Sequence, residues 1–440
     1  PVSYDLPRQS AANKRKLVPS YFNISAICIS VLWLSGCTSL SPLRPNTVAN
    51  PKNSVVNGPG YRVAFIEFGE QGSYQDQTQL KNALDLIQRT AKPLVITYLH
   101  GWQNDAESGD VAKFESLLAR LNRAPAIRQA GFNVIGVYLG WRGRLTPVPV
   151  LKELSFWNRK ATAERIASNY DCYDAIASIS EEARKDHGTG GQYTVLLGHS
   201  FGGLIVERSV AHAINAEIHG HADSARSMPA DLVIVVNPAS DSILARQMIA
   251  ALYSRKTEGT RPLFVSITST GDSATGLAFP VGTSLAATTK GFNEVPAPGP
   301  KGTMQSERKF YTATPGHNEM LINHFTLNLQ KTIASPQGHP ALETNLEHNL
   351  SAEVFALDGT TGKLDLWRIQ RSGDVDVPYW DVKVDPSIIK DHGDLWNERA
   401  EAMMAAIFRM ANPMLNPHPK PRATLHRAPD FNRLQPARTP

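Results

Sequence analysis

The chain has 440 residues, 42% of them hydrophobic and 19% charged, enough apolar material for one large core or two modest ones. Its low mean hydropathy argues against a polytopic membrane protein. The net charge of +5 implies no nucleic-acid-binding face, because Lys420, Arg422, Arg427, Arg433 and Arg438 gather at the C-terminal end against Asp430 alone and leave the body near neutral.

At the N-terminus, Lys14, Arg15 and Lys16 precede an uncharged run with an apolar core, Ile24 to Leu34, and then Ser35, Gly36 and Cys37. Basic, apolar and small residues in that order predict a signal peptide over residues 1–37. The sequence Leu34-Ser35-Gly36-Cys37 resembles the bacterial lipobox, which implies acylation of Cys37 and a lipid anchor in a membrane of the bacterial cell envelope. A plain membrane anchor is the competing reading, disfavoured by Pro19, Asn23 and several serines. Removal of the signal with Cys28 and lipidation of Cys37 would leave Cys172 as the only ordinary thiol, so the fold must stand on its core without an internal disulfide. No Cys/His cluster has zinc-ligand spacing, and no metal or organic cofactor is expected. Residues 38–60, rich in Ser, Pro and Asn, read as a flexible tether.

From Tyr61 onward strands and helices alternate. Tyr61–Phe68, Pro93–Leu99, Phe132–Leu139, Tyr193–Leu197, Leu232–Val236 and Leu263–Ile267 read as strands. Helical spacing covers Gln77–Thr90, Val111–Leu121, Ala161–Lys185, Gly203–Ile218 and Ser242–Tyr253. Strands apolar on both faces and alternating with helices predict an α/β fold with a mostly parallel, doubly wound sheet. The pattern breaks over residues 275–373, which read as a lid-like insertion, and resumes with a last strand, Val375–Val384, and a closing helix, Asn397–Met410. Pro378 predicts an edge position or a bulge for that strand. Residues 412–440 read as a disordered, Pro- and Arg-rich tail.

The chemistry falls at strand ends. Gly198-His199-Ser200-Phe201-Gly202 fits G-x-S-x-G, with a strand before it and a helix after it. Glycines two residues either side of Ser200 permit a sharp turn that lifts its hydroxyl beside a helix N-terminus, where free N–H groups suit a developing oxyanion. His100-Gly101-Trp102 ends an earlier strand, so Trp102 N–H and Phe201 N–H are the candidate oxyanion donors and His100 is read as structural. A serine needs a base, and the base a carboxylate. Asp272 is favoured over Asp241 because it follows the later strand. Of His317, His324, His339, His348 and His392, the last alone follows a credible final strand and precedes the closing helix, while His317 and His324 remain alternatives; His418 and His426 lie in the tail. Trp102, Trp141 and Trp157 are candidates for a pocket wall or for core.

At these residues the chain resembles the α/β-hydrolase superfamily over residues 61–411, and esterase- or lipase-like members in particular. The resemblance rests on the His100-Gly101-Trp102 loop, the strand Val134–Gly143, Gly198–Gly203, Asn237-Pro238-Ala239, and the loop Ser269–Thr275 followed by Phe279-Pro280. It implies a triad of Ser200, Asp272 and His392, donors at Trp102 and Phe201, and acyl transfer on a carboxylic ester or lipid without a cofactor. The long separation of Asp272 and His392 departs from minimal members of that family. The contrasting expectation is an envelope lipoprotein that uses the same fold as a non-catalytic scaffold.

Overall fold

The computed structural model describes residues 41–45, 54–144, 155–185, 192–218, 229–254, 262–297, 303–321, 324–334, 354–358, 363–371, 377–412 and 414–415. The signal peptide with Cys28 and Cys37, His339, His348 and the tail from residue 416 lie outside the described residues. The chain divides into two compact units, Pro1–Ser41 and Pro42–Pro440, and every element below belongs to the second.

In chain order the elements to the nucleophile region are β1 (Val55–Gly58), β2 (Tyr61–Phe68), α1 (Gln77–Gln88), β3 (Pro93–Leu99), α2 (Gly109–Arg123), α3 (Pro125–Gln129), β4 (Asn133–Trp141), α4 (Phe156–Ser168), α5 (Tyr170–Arg184), β5 (Tyr193–His199) and α6 (Phe201–Ile218). There follow β6 (Leu232–Val236), α7 (Ile243–Ser254), β7 (Phe264–Ser269), a π-helical turn (Ala274–Ala278), α8 (Phe279–Ala286), β8 (Glu294–Pro296), β9 (Met304–Ser306), α9 (Glu307–Thr312) and a 3-10 turn (Pro315–His317). The chain then adds β10 (His324–Ala334), β11 (Val354–Asp358), β12 (Lys363–Arg371), β13 (Tyr379–Val384) and α10 (Glu398–Ala411).

The main sheet runs β1-β2-β4-β3-β5-β6-β7-β13-β10-β12-β11. From β2 to β10 every neighbour is parallel. Antiparallel strands finish both edges, β1 on one side and β12 with β11 on the other. The alternation of side chains along a strand feeds two apolar layers. Along β2, Ala64, Ile66 and Phe68 join one face with Ile166, Ile176 and Met248, while Val63 and Phe65 join the other with Phe114, Leu118 and Ile407. Helices therefore cover both faces, as a parallel sheet requires. Each large apolar side chain buried this way contributes about 1.5–3 kcal/mol.

Four expectations change. The helix expected over Ala161–Lys185 is two helices, because Asn169 has extended backbone (φ −84°, ψ 138°) and caps the second by accepting from Asp171 N–H at 2.9 Å. Pro378 is neither in an edge strand nor in a bulge: β13 starts after it, between β7 and β10, so no ladder N–H is lost. Part of the 275–373 stretch is sheet rather than lid, since β10, β11 and β12 extend the main sheet beyond β13. Its signal was the alternation of buried Phe325 and Leu327 with less buried Thr326 and Asn328. At the two ends, described residues assigned to tether and tail pack on the domain. Leu43 N–H and Arg44 N–H each donate to the Glu67 carboxylate at 2.8 Å, β1 pairs with β2, and Met414 and Leu415 lie against the core.

One buried acid sits within this frame. Glu207, on α6, is fully buried and accepts from Ser240 Oγ, while its Oε1 has no partner. Burial, with Asp241 and Asp381 nearby, pushes its carboxyl up from 4.5 to about 8. The folded state thus holds a proton that the unfolded chain releases. Its stability contribution is full below pH 4.5 and is lost progressively as pH rises to about 8. Glu207→Gln removes that loss: its melting temperature should exceed the wild type's by several degrees at pH 8, and the gap should close at pH 4 in thermal unfolding followed by circular dichroism. A gap independent of pH would contradict the assignment.

Candidate active site

β3 and β5 lie side by side, but the chain leaves β3 toward β4 and leaves β5 toward β6, in opposite directions. The loops at their carboxyl ends therefore open a crevice, the usual ligand position in an open parallel sheet. One loop carries His100-Gly101-Trp102 and the other carries Ser200.

Ser200 has φ +55°, in the left-handed region that costs an L-residue about 1–2 kcal/mol. Its surroundings over-determine that conformation. Ser200 N–H donates to the Val236 carbonyl, and the Ser200 carbonyl accepts from Leu204 N–H and Ala239 N–H, all at 3.1 Å. The turn also needs glycine next to it: a Cβ on Gly202 would stand 2.1 Å from the Leu99 carbonyl oxygen. Likewise, a Cβ on Gly101 would lie 2.8 Å from Ser200 Cβ, so the two loops are in contact. α6 starts at Phe201, which leaves the N–H groups of its first turn without intrahelical acceptors.

His392 reaches this serine from the loop after β13. Its Nδ1–H donates to Asp272 Oδ2 at 2.8 Å, and its Nε2 accepts from Ser200 Oγ–H at 2.7 Å. Asp272 follows β7, and its carboxylate is saturated. Oδ1 accepts from Ala274 N–H at 2.9 Å and Thr275 N–H at 3.2 Å, while Oδ2 also accepts from Thr275 Oγ1–H at 2.5 Å. The π-helical turn at Ala274 presents those donors. Burial alone would raise the Asp272 carboxyl, but the hydrogen bonds from His392 and Thr275 outweigh it and hold the group below the usual carboxylate range. The Asp272 side chain is fully buried, whereas that of His392 is 28% exposed, so the line is reached from the histidine end.

The other candidates lie elsewhere. His100 is buried and structural: its Nδ1–H donates to the Gly101 carbonyl, and its Nε2 accepts from Trp141 N–H at 3.1 Å. Trp141 is core, with its Nε1–H on the His100 carbonyl. Asp241 lies near Glu207, and no bond joins it to His392. His317 is packed against Gly276, in the turn after Asp272, and its Nε2 is buried without a partner. His324 opens β10. Trp102 and Phe201 both pack on Phe156, with ring centroids 5.3 and 5.0 Å away, and Phe156 packs in turn on the exposed Trp157. α4, which carries Phe156 and Trp157, is fixed by Arg159: the guanidinium donates to both carboxylate oxygens of Glu70, at 2.8 and 2.7 Å, and to the Arg142 carbonyl at 2.8 Å.

Three polar residues of the site were not assigned roles from sequence: His199, Asn237 and Thr275. Asn237 and Thr275 stand in motifs that carried the resemblance, and His199 precedes the serine, yet nothing in spacing shows which backbone atoms they reach. Asn237 is fully buried at φ +46°, a conformation that Asn tolerates. Among the described residues no group of three or more His, Cys, Asp or Glu is arranged to hold a metal, and no helix is long and apolar enough to cross a membrane.

No protein-family model and no curated protein matches the chain. Among solved structures it is similar to the phospholipase PlaB from Legionella pneumophila in complex with thio-NAD, at 12% identity and a TM-score of 0.31, over 74% of this chain and 63% of that one. A second structure of that phospholipase aligns at 10% identity and a TM-score of 0.25, over 67% of this chain and 94% of the other. The chain thus spans less than two thirds of the first of these neighbours.

Proposed function

We propose that the protein is a serine hydrolase that cleaves a carboxylic ester with an apolar acyl chain, a lipid among the candidates. The observation that carries this reading is the hydrogen-bonded line from Ser200 Oγ through His392 to Asp272, with the serine held in a left-handed turn. In this reading His392 Nε2 takes the Ser200 proton as Oγ attacks the carbonyl carbon. Asp272 keeps the proton of His392 on Nδ1 and stabilises the imidazolium that forms. Trp102 N–H and Phe201 N–H receive the oxyanion. His392 then protonates the leaving alcohol, and water, deprotonated by the same nitrogen, releases the acyl group. The seat of Asp272 suits this role: four accepted hydrogen bonds and full burial leave an anion that is fixed in place.

The apolar preference rests on the helix after Asp272. Leu277, Val281 and Leu285, four residues apart, are 67%, 55% and 69% exposed. Gly282 on the same helix lies against the Trp157 ring, which leads through Phe156 to Trp102 and Phe201. An apolar track thus joins an exposed ridge to the residues beside the nucleophile. The same reading includes acylation of Cys37 and attachment to the bacterial cell envelope, which rest on the sequence pattern alone.

Three outcomes test these parts. Ser200→Ala should abolish hydrolysis of p-nitrophenyl esters, and Asp272→Asn should lower kcat by roughly 10³–10⁴-fold while Asp241→Asn leaves it nearly unchanged; activity retained without Ser200 would end the reading. Replacing Leu277, Val281 and Leu285 together by Ser should lower kcat/KM about tenfold more on long-chain than on short-chain esters. An equal loss on both would remove the ridge from substrate recognition. Metabolic labelling with a tagged fatty acid should mark the full-length protein and vanish in Cys37→Ser, and label persisting in that variant would place any lipid elsewhere.

A further inference from the structure

The backbone carbonyl of His392 is where two buried side chains converge. His199 Nε2–H donates to it at 2.8 Å and Asn237 Nδ2–H at 3.1 Å; Asn237 also reaches the Asp391 carbonyl at 3.3 Å. These bonds cross from the ends of β5 and β6 to the loop after β13, elements far apart in the chain.

The orientation of each donor is determined by its other contacts. Asn237 Oδ1 accepts from Ser269 N–H at 2.9 Å, so its amide nitrogen must face the His392 loop. Asn237 N–H is anchored on the Ile267 carbonyl at 2.7 Å. Ser269 itself starts the turn into Asp272: its Oγ accepts from Gly271 N–H at 3.1 Å and donates to the Ile389 carbonyl at 2.5 Å. One amide therefore joins the loop that carries the acid to the loop that carries the base. The partner of His199 sets its tautomer. A carbonyl can only accept, so the proton is on Nε2 and Nδ1 is bare. That Nδ1 is buried without a partner, beside Gly101. The ring also flanks the His392 imidazole, with centroids 5.2 Å apart.

We propose that His199 and Asn237 are positioning residues that act through the His392 carbonyl, fixing the distance from the imidazole to Ser200 and its alignment with Asp272. This inference rests on the serine-hydrolase reading. Neither residue touches the reacting atoms in that scheme. Burial first, and then the neighbouring His392, push the His199 imidazolium down to about 4, so its ring stays a neutral donor at working pH.

The test is the steady-state kinetics of a water-soluble short-chain ester with the full protein. His199→Phe keeps the ring and removes the N–H, while Asn237→Asp keeps the acceptor for Ser269 and removes the donor. Each should lower kcat by about 10- to 100-fold, with KM within about twofold of the wild type. His199→Gln, whose amide nitrogen can stand near the place of Nε2, should restore most of the loss. Wild-type kcat in His199→Phe, or a Gln variant as slow as the Phe variant, would overturn the proposal. If His199→Phe does not fold, His199→Asn, too short to reach the carbonyl, carries the same comparison against Gln. Ser200→Ala in the same series separates the two ideas. Hydrolysis that persists without Ser200 removes the hydrolase reading, whereas Ser200-dependent hydrolysis indifferent to both His199 and Asn237 removes only the positioning.

Discussion

A left-handed backbone at Ser200 is the constraint around which the site is arranged. An L-residue in that conformation is unfavourable by itself, so its neighbours must hold it there. They do so with hydrogen bonds from β6 and α6 and with glycine where the chain passes under the Leu99 carbonyl. The result is geometric. β5 ends, α6 starts, and the hydroxyl between them is lifted into the crevice where the chain diverges from β3 and β5. A straighter turn would aim Oγ along the sheet, away from the imidazole that now accepts its proton.

Around that turn the polar groups divide into a fixed side and an open side. On the fixed side Asp272 accepts four hydrogen bonds, and His100 uses both ring nitrogens on backbone. His100 ties the end of β3 to β4, and Asp272, His199 and Asn237 tie the ends of β7, β5 and β6 to the loop after β13, which is how buried polar groups become rigid rather than costly. Behind them Glu207 shows what burial does to a carboxyl: taken out of water, with Asp241 and Asp381 nearby and one oxygen unpaired, it resists ionisation. On the open side His392 keeps part of its surface in solvent, and the π-helical turn with α8 presents Leu277, Val281 and Leu285 outward. In the proposed reading, that frame and the apolar ridge would meet the polar reacting centre and the apolar tail of one substrate.

The parallel core was legible because its signal is local. Runs such as Leu232–Val236 or Pro93–Leu99 are apolar on both faces, and helical spacing fills the gaps between them. Ser200 was legible for the same reason, since a turn this tight demands glycines at fixed offsets. His392 and Asp272 could be picked out only by their places after strands, and the distances between them come from tertiary structure alone. What the sequence hid was of two kinds. The weaker signals were interrupted: β10 alternates Phe325, Leu327 and Leu329 with polar residues, but a register shift before Lys331 breaks the period, and Pro378 resembles an edge residue only if β13 starts before it. Side-chain bonds to distant backbone carry no sequence signal, and Asn237, His199 and Thr275 act through such bonds or through a neighbouring carboxylate.

The most direct test of the central claim is covalent. A fluorophosphonate reacts quickly with a serine only when a neighbouring base removes its proton. Treated with such a probe and mapped by peptide mass spectrometry, the wild-type protein should carry the adduct on Ser200, and His392→Gln, correctly folded by circular dichroism, should lose at least about a hundredfold in labelling rate. An unmodified Ser200 in the wild type, or labelling that proceeds equally fast without His392, would contradict the account.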